Sequence, residues 1–271
     1  IIGPEVPLVN GIVDYLEEKN IKIFGPNKKA SQLEGSKSFM KKVCEKFNIP
    51  SAKFKEISSL EEAEKTINSF DLPIVVKSDG LAAGKGVTIC NSKNKALNDI
   101  KSILNGKFKT SSKVVIEEFL NGEEASYFII TDGVNYIPIG TAQDHKRIGE
   151  NDTGENTGGM GAYSPSFLIT EEIKKKINKK IIEPTLNAMR SIGCAYKGIL
   201  YAGLMIENNE PKLIEYNIRF GDPECQVLMM RLKNDLLDLL LSTFDNSLKN
   251  KKISWIDNPG ITIVAASKGY P

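Results

Sequence analysis

The sequence predicts an α+β protein, and three observations carry that prediction. Seven short stretches rich in β-branched and aromatic residues, at 74–77, 87–90, 114–119, 126–131, 136–141, 200–206 and 212–217, are bounded by Gly, Asn or Asp as half-buried strands are. Helix-start signals separate them: Ser31 is followed three residues later by Glu34, and Ser58 by Glu61. The strands fall in hairpin-like groups instead of alternating one by one with helices, so a regular βαβ array and a Rossmann sheet are not expected.

Along the chain, Ile1-Ile2-Gly3-Pro4-Glu5 reads as the end of a strand entering a turn. Ser31 is expected to open a helix to about residue 48, and Ser58 one to about residue 70. A longer helix is predicted from Thr170 as N-cap to Gly193 as stop, with Pro184 kinking it. Another is predicted from Pro223 to about residue 244, and residues 261–266 read as a fresh strand. No Met opens the chain and the last strand is followed by only five residues, so both ends read as cut from a longer protein.

With 271 residues, 41% of them apolar, the chain can bury a substantial core. Its net charge of +2 gives no general electrostatic case for nucleic acid or an anionic membrane. No apolar run approaches the roughly 18 residues of a membrane span, and no signal peptide opens the chain, so a cytoplasmic location is expected. Cys44, Cys90, Cys194 and Cys225 are scattered without a zinc or disulfide pattern. His145 is the sole histidine, which argues against Ser-His-Asp or Cys-His catalysis. Only Arg147, Arg190, Arg219 and Arg231 are arginines, so an Arg at an ordered polar position suggests a need for its planar fork.

Four segments carry chemistry. In Leu213-Ile214-Glu215-Tyr216-Asn217-Ile218-Arg219, strand alternation puts Glu215, Asn217 and Arg219 on one face and Ile214, Tyr216 and Ile218 on the other. A carboxylate, an amide oxygen and a guanidinium in one row suit Mg²⁺ and a polyphosphate better than the alternative, an edge strand with a solvated face. The glycine-rich stretch from Asp79 to Gly86, between apolar strands, suits a phosphate-covering lid, although Gly84-Lys85 is followed by Gly86 and so is not a P-loop. Lys77 interrupts an apolar strand, where a phosphate would relieve the cost of a buried ammonium; Lys37 reads equally well as a solvated helix residue. In Glu117-Glu118-Phe119-Leu120, a strand leaves its sheet through a hinge that suits an adenine edge with Phe119 and Leu120 over the ring; a plain acidic turn is as good a reading. Finally, Gln143-Asp144-His145-Lys146-Arg147, with the glycines from Gly154 to Gly161, is expected to be a substrate loop.

Taken in this order, the segments resemble the ATP-grasp ligases, and most closely the phosphoribosylamine–glycine ligase family. The stretch from Arg219 through Gly221-Asp222-Pro223-Glu224 to Gln226 is similar to that family's diagnostic segment, and 143–147, 157–165 and 79–86 resemble its others. The resemblance spans essentially the whole chain. It implies an ATP-grasp fold, two α+β subdomains clamping ATP, over residues 31–245 with a lid at about 52–118; residues 1–30 would be the remnant of a preceding domain and 246–271 the start of a following one.

What the resemblance further implies is ATP-dependent joining of glycine to 5-phosphoribosylamine through glycyl phosphate, in de novo purine biosynthesis, by a monomer needing neither nucleic acid nor membrane. Glu215 and Asn217 match the family's Mg²⁺ or Mn²⁺ ligands; Lys37, Lys77 and Glu124 match nucleotide contacts; Glu117, Phe119 and Leu120 align with the adenine hinge. Arg219, Asp144 and Lys85 are the expected catalytic residues, with Arg219 on the γ-phosphate or glycine carboxylate and Asp144 on the glycine ammonium. Two departures stand out: Gly203 occupies the place near which many ATP-grasp enzymes carry a second acidic ligand, and Glu155 replaces a proline. The competing readings are another ATP-grasp ligase and a non-catalytic MgATP-binding fragment.

Overall fold

Proline and glycine punctuation places the first helices where a strand end was expected. Pro7 sits in the first turn of α1 (Glu5–Asn10), where its missing N–H would have no intrahelical partner anyway. Gly11, at φ +94°, ends α1 and starts α2 (Ile12–Glu17); Ile1–Gly3 join no strand. The computed structural model describes residues 1–82, 86–108, 113–151 and 153–270.

The Ser31 signal is answered by one local and one distant partner. Ser31 is fully buried and its hydroxyl donates to the Asn27 carbonyl at 2.8 Å, while Glu34 accepts the distant Ile218 N–H at 2.8 Å. Only the short α3 (Gln32–Gly35) forms there, and the chain restarts at α4 (Lys37–Lys46), where the Ser36 hydroxyl accepts the Phe39 N–H at 3.1 Å.

After β1 (Phe54–Ile57), α5 (Leu60–Thr66) is capped one residue later than expected: Ser59 accepts the Glu62 N–H, and Glu62 reaches back to the Ser58 N–H at 2.8 Å. The doublets Ser58-Ser59 and Glu61-Glu62 offer both registers. Then come β2 (Ile74–Ser78), β3 (Val87–Cys90), α6 (Lys93–Ser102) and β4 (Val114–Glu118). Four strands pair in the order β1-β4-β2-β3, all antiparallel, and Ile57, Ala63, Ile74, Val76, Ile100 and Ile116 pack between this sheet and α5 and α6.

A second sheet comprises β5 (Glu123–Asp132), β6 (Tyr136–Gly149), β7 (Thr153–Ser164), β8 (Lys197–Glu207), β9 (Glu210–Asn217) and β10 (Gly260–Ile263), in the order β10-β7-β6-β5-β8-β9. Here the expected substrate loop is corrected to a hairpin: residues 143–149 lie in β6 and 153–164 in β7, with Asp144 opposite Ala162 and His145 opposite Gly161. The glycines serve close approach in a sheet. A Cβ on Gly161 would meet the Thr262 carbonyl at 2.7 Å, and one on Gly159 the Pro223 ring at 2.4 Å.

One face of this sheet packs through Tyr127, Leu200, Leu213 and Tyr216 against α4 and a long helix; the other packs through Phe128 and Ile130 against Val227 and Leu240 of the C-terminal helices. The long helix runs as predicted from Thr170, which accepts the Ile173 N–H, through α7 (Glu171–Ile177) and α8 (Glu183–Ser191). Where a kink was expected at Pro184, a wider π turn at Asn178–Ile182 precedes it and accommodates its missing donor. Gly193, at φ +72°, closes the end, with Cys194 N–H donating to Met189 O at 2.9 Å.

The expected helix from Pro223 to residue 244 is broken in two, α9 (Glu224–Arg231) and α10 (Leu236–Leu241). Asp235 caps the second half through the Leu237 and Asp238 N–H groups, and the extended Leu232 bridges to Trp255. The buried Arg231 guanidinium ties the break down, donating to Asn258 O, Ile256 O and Ser164 Oγ at 3.0–3.2 Å. No helix among the described residues is long and apolar enough to cross a membrane.

Because the Ser36 cap sets the start of α4, and with it Lys37, Ser36→Ala is expected to cost about 1 kcal/mol in urea unfolding. An unchanged midpoint would show that the cap does not hold this helix end.

Candidate functional site

A cleft of about 430 Å³ opens between the two sheets, lined by β2, the N-terminal end of α4, β6, β9 and the loop after β9. Its floor is set by an irregularity in β9. Gly203 pairs with Glu215 and Leu204 with Leu213, so Ile214 is an extra residue on the β9 side. Leu213, Tyr216 and Ile218 therefore point into the core, and Glu215, Asn217 and Arg219 line the cleft as the alternation predicts. Ile214 is the exception. The bulge moves it from the expected opposite face to the cleft, and its carbonyl accepts from Lys77 Nζ at 3.3 Å.

Cations converge on this floor from separate elements. Lys77, 4% exposed on β2, pairs with Glu117 at 3.0 Å. The same carboxylate is 3.6 Å from the fully buried Lys41, whose ammonium donates to Ala52 O at 2.6 Å. Glu117 Oε1 has no hydrogen-bond partner among the described residues. Lys37, first residue of α4, donates to Gly80 O at 2.9 Å. Next to it, Asp79 accepts the Ser38 N–H and the Ser36 hydroxyl, each at 3.1 Å, which docks the start of the glycine-rich stretch on the helix N-terminus. On β6, Asp144 and Lys146 share the cleft face; Lys146 Nζ lies 2.8 Å from Glu124 and 3.8 Å from Asp144.

Electrostatics follows from this crowding. Burial by itself raises the Glu215 carboxyl, but Lys146, Lys77, Lys37 and Arg219 outweigh it and hold the group below its ordinary value. Lys37 is lowered, chiefly by burial, against the pull of Glu215. Asp144 is raised by burial despite Lys146, and Glu224 by burial and then by Asp144. Arg219 donates from Nε to Glu5 at 3.0 Å and from Nη1 to Phe220 O at 2.8 Å, which aligns its fork at the cleft edge. Glu34 is pushed up to about 7, first by burial, with Arg219 and the Ile218 N–H opposing.

Thus Lys37, Lys77, Glu124, Asp144, Glu215, Asn217 and Arg219 meet around one cleft. Glu117 stands behind it, as the counter-charge of Lys77 and Lys41. Phe119 lines a separate hollow with Phe54, Phe70 and Pro73, and Leu120 is buried away from the cleft wall. Lys85 lies outside the described residues. The sequence placed Lys146 only within an expected substrate segment and Glu34 only in a capping signal; strand alternation from Asp144 puts Lys146 on the cleft face, whereas only the fold brings Glu34 to Arg219.

A divalent ion fits the donor set in one particular way. Among the described residues no group of three or more His, Cys, Asp or Glu could cage a metal. A carboxylate and an amide two residues apart, facing lysines, instead suit a hard cation carried largely by phosphate oxygens and water.

Comparison with known proteins bears on the same cleft. The family model described as phosphoribosylglycinamide synthetase, ATP-grasp (A) domain, matches residues 35–225, and the N domain model of that synthetase matches residues 1–34. A curated phosphoribosylamine–glycine ligase of Mesorhizobium japonicum is 51% identical over 100% of this chain and 64% of its own length. The chloroplastic one of Arabidopsis thaliana is 50% identical, over 100% of this chain and 52% of its own length. The chain thus spans less than two thirds of these relatives. Among solved structures, a phosphoribosylamine–glycine ligase from Thermotoga maritima superposes with a TM-score of 0.85 at 35% identity, over 94% of this chain and 64% of that one. A biotin carboxylase from Campylobacter jejuni, 19% identical, shares the fold with a TM-score of 0.73 over 96% of this chain and 57% of that one.

Glu34 makes a pH-dependent prediction. Its folded-state value of about 7 exceeds the ordinary 4.5, so between these values the folded protein holds a proton that the unfolded chain has lost. Stability is expected to fall by on the order of 2–3 kcal/mol as pH rises through that window, then level off. In urea unfolding at pH 5 and pH 8, Glu34→Gln should remove most of that fall; an equal pH dependence in both proteins would refute it.

Proposed function

The chain belongs to the phosphoribosylglycinamide synthetase family, and on that premise we propose that it joins glycine to 5-phosphoribosylamine at the expense of ATP, forming glycinamide ribonucleotide, ADP and phosphate. The observation that carries the proposal is the meeting of Glu215, Asn217 and Arg219 with Lys37 and Lys77 around one cleft. The relatives' names supply the substrates, and the chain's own residues supply a fitting chemistry.

In this reading Lys37 and Lys77 hold the nucleotide phosphates, and the Lys41–Glu117–Lys77 cluster keeps Lys77 pointed at them. Glu215 and Asn217 would hold Mg²⁺ or Mn²⁺, which would supply charge neutralisation for the phosphates. Arg219, aligned by Glu5, receives the glycine carboxylate next to the γ-phosphate, and Asp144 accepts the glycine ammonium. One carboxylate oxygen of glycine attacks the γ-phosphorus, the bond to the β–γ bridging oxygen breaks, and ADP leaves. The amine nitrogen of phosphoribosylamine then attacks the acyl carbon of glycyl phosphate, phosphate departs, and the nitrogen loses a proton. No protein nucleophile is required, consistent with catalysis by positioning and charge.

Release of ADP is expected to require glycine and freshly made phosphoribosylamine together. A thermal shift with MgATP but no glycine-dependent ADP would instead identify a nucleotide-binding module. Asp144→Asn should raise the apparent KM for glycine by at least about 10-fold while leaving that for ATP within about 2-fold. Equal changes in both constants would remove Asp144 from glycine recognition. Glu215→Ala should weaken Mn²⁺-dependent nucleotide binding by about 10-fold or more, measured by calorimetry; unchanged affinity would dismiss it as a ligand.

A further inference from the structure

The closing step of the ligase reaction releases a proton from the amine nitrogen, and some group must receive it. As that nitrogen joins the acyl carbon it gains positive charge, and the amide persists only once the proton is shed. A carboxylate in the cleft, desolvated and without a cation of its own, suits that task.

Most acids of the cleft are already engaged. Glu5 accepts from Arg219 and Glu34 from the Ile218 N–H, Glu124 and Asp144 flank Lys146, and Glu215 faces four cations. Asp222 is exposed and accepts from Gln226. Glu224 differs: it is 3% exposed and lines the cleft, and none of the described lysines and arginines forms an ion pair with it.

Its place is set by the turn after β9. Gly221 leaves open the space that the Glu224 carboxylate fills, since a Cβ on Gly221 would collide with it. Its charged neighbours are Asp144 and Lys146 from β6 and Arg219 from the end of β9, and the Tyr201 hydroxyl of β8, 2.9 Å from that of Ser126, faces it. Arg219 and Asp144 are the residues given above to the glycine carboxylate and ammonium, so the acyl carbon comes up beside Glu224. Burial first, and then the Asp144 charge, raise this carboxyl above its ordinary value, so it takes up a proton more readily than a solvated acid.

We propose that Glu224 is the general base of the amide-forming step. The proposal rests on the ligase reading of the preceding subsection. The nitrogen lone pair of phosphoribosylamine forms the bond to the acyl carbon, and the bond from that carbon to the phosphate oxygen breaks, its electron pair leaving on phosphate. The proton on nitrogen passes to an oxygen of the Glu224 carboxylate, from which solvent removes it. A glutamate that merely holds the start of α9 would affect both steps of the reaction alike.

The test separates those steps by trapping glycyl phosphate. Hydroxylamine in excess, in place of phosphoribosylamine, converts it to glycine hydroxamate with water as the proton acceptor. Glu224→Gln is expected to slow glycinamide ribonucleotide formation by about 100-fold or more, while hydroxamate formation from ATP and glycine stays within about 3-fold of wild type. Equal losses in both assays, or undiminished glycinamide ribonucleotide formation by the variant, would overturn the proposal. Should Glu224→Gln fail to fold, Glu224→Asp draws the carboxylate back by one methylene and is expected to show the same split at about 10-fold; equal losses there overturn it as well. Wild type that forms no hydroxamate from ATP and glycine would instead overturn the glycyl phosphate reading, and this proposal with it.

Discussion

The fold is arranged around the difficulty of keeping the Glu215 carboxylate ionised on the floor of the cleft. Burial opposes the charge, and cations from four separate parts of the chain win against it: Lys146 on β6, Lys77 on β2, Lys37 on α4 and Arg219 beyond β9. None of these is held by its neighbours in sequence alone. Lys77 needs the bulged carbonyl of Ile214 and the Glu117 carboxylate, Lys37 needs Gly80, and Arg219 needs Glu5. Each cation is in turn repelled by the others, so the cleft stays assembled only while its acids and bases are interleaved.

That constraint explains why both sheets must contribute. The four-stranded sheet delivers Lys77 and its counter-charge from adjacent strands, Glu117 standing opposite Val75. The six-stranded sheet delivers the acids, Glu124 from β5, Asp144 from β6 and Glu215 from β9. Between them α4 directs its N-terminal end at the cleft, and Asp79 fastens the glycine-rich stretch there by occupying the free N–H of Ser38. In the proposed reading, a nucleotide would meet cations that are already placed, which would lower the reorganisation it otherwise demands.

Much of this was legible beforehand because the relevant signals are local. Strand alternation placed Glu215, Asn217 and Arg219 on one face, and the scarcity of arginine singled out Arg219. Thr170 and Gly193 marked the ends of the long helix because capping is decided within one turn. Legibility failed where a residue's partner lies far along the chain. Glu34 reads as the back-reaching partner of a Ser31 cap, yet it accepts the N–H of Ile218, far along the chain. The stretch from Gly154 to Gly161 reads as a loop by composition, but its glycines permit the approach of β10 and Pro223. A helix past Pro223 reads as continuous because nothing local announces that residues 254–256 pair across Leu232.

By itself, the sequence determined the α+β class, the row of Glu215, Asn217 and Arg219 on one strand face and the family to which the chain belongs. All of these are properties of residue type and short spacing. Tertiary structure alone decided that Ile214 bulges toward the cleft, that Phe119 faces a separate hollow and that Lys146 pairs with Glu124 and Asp144. Those outcomes depend on register and on contacts across tens to hundreds of residues, and the energies that select them exist only once both sheets have closed around the same charges.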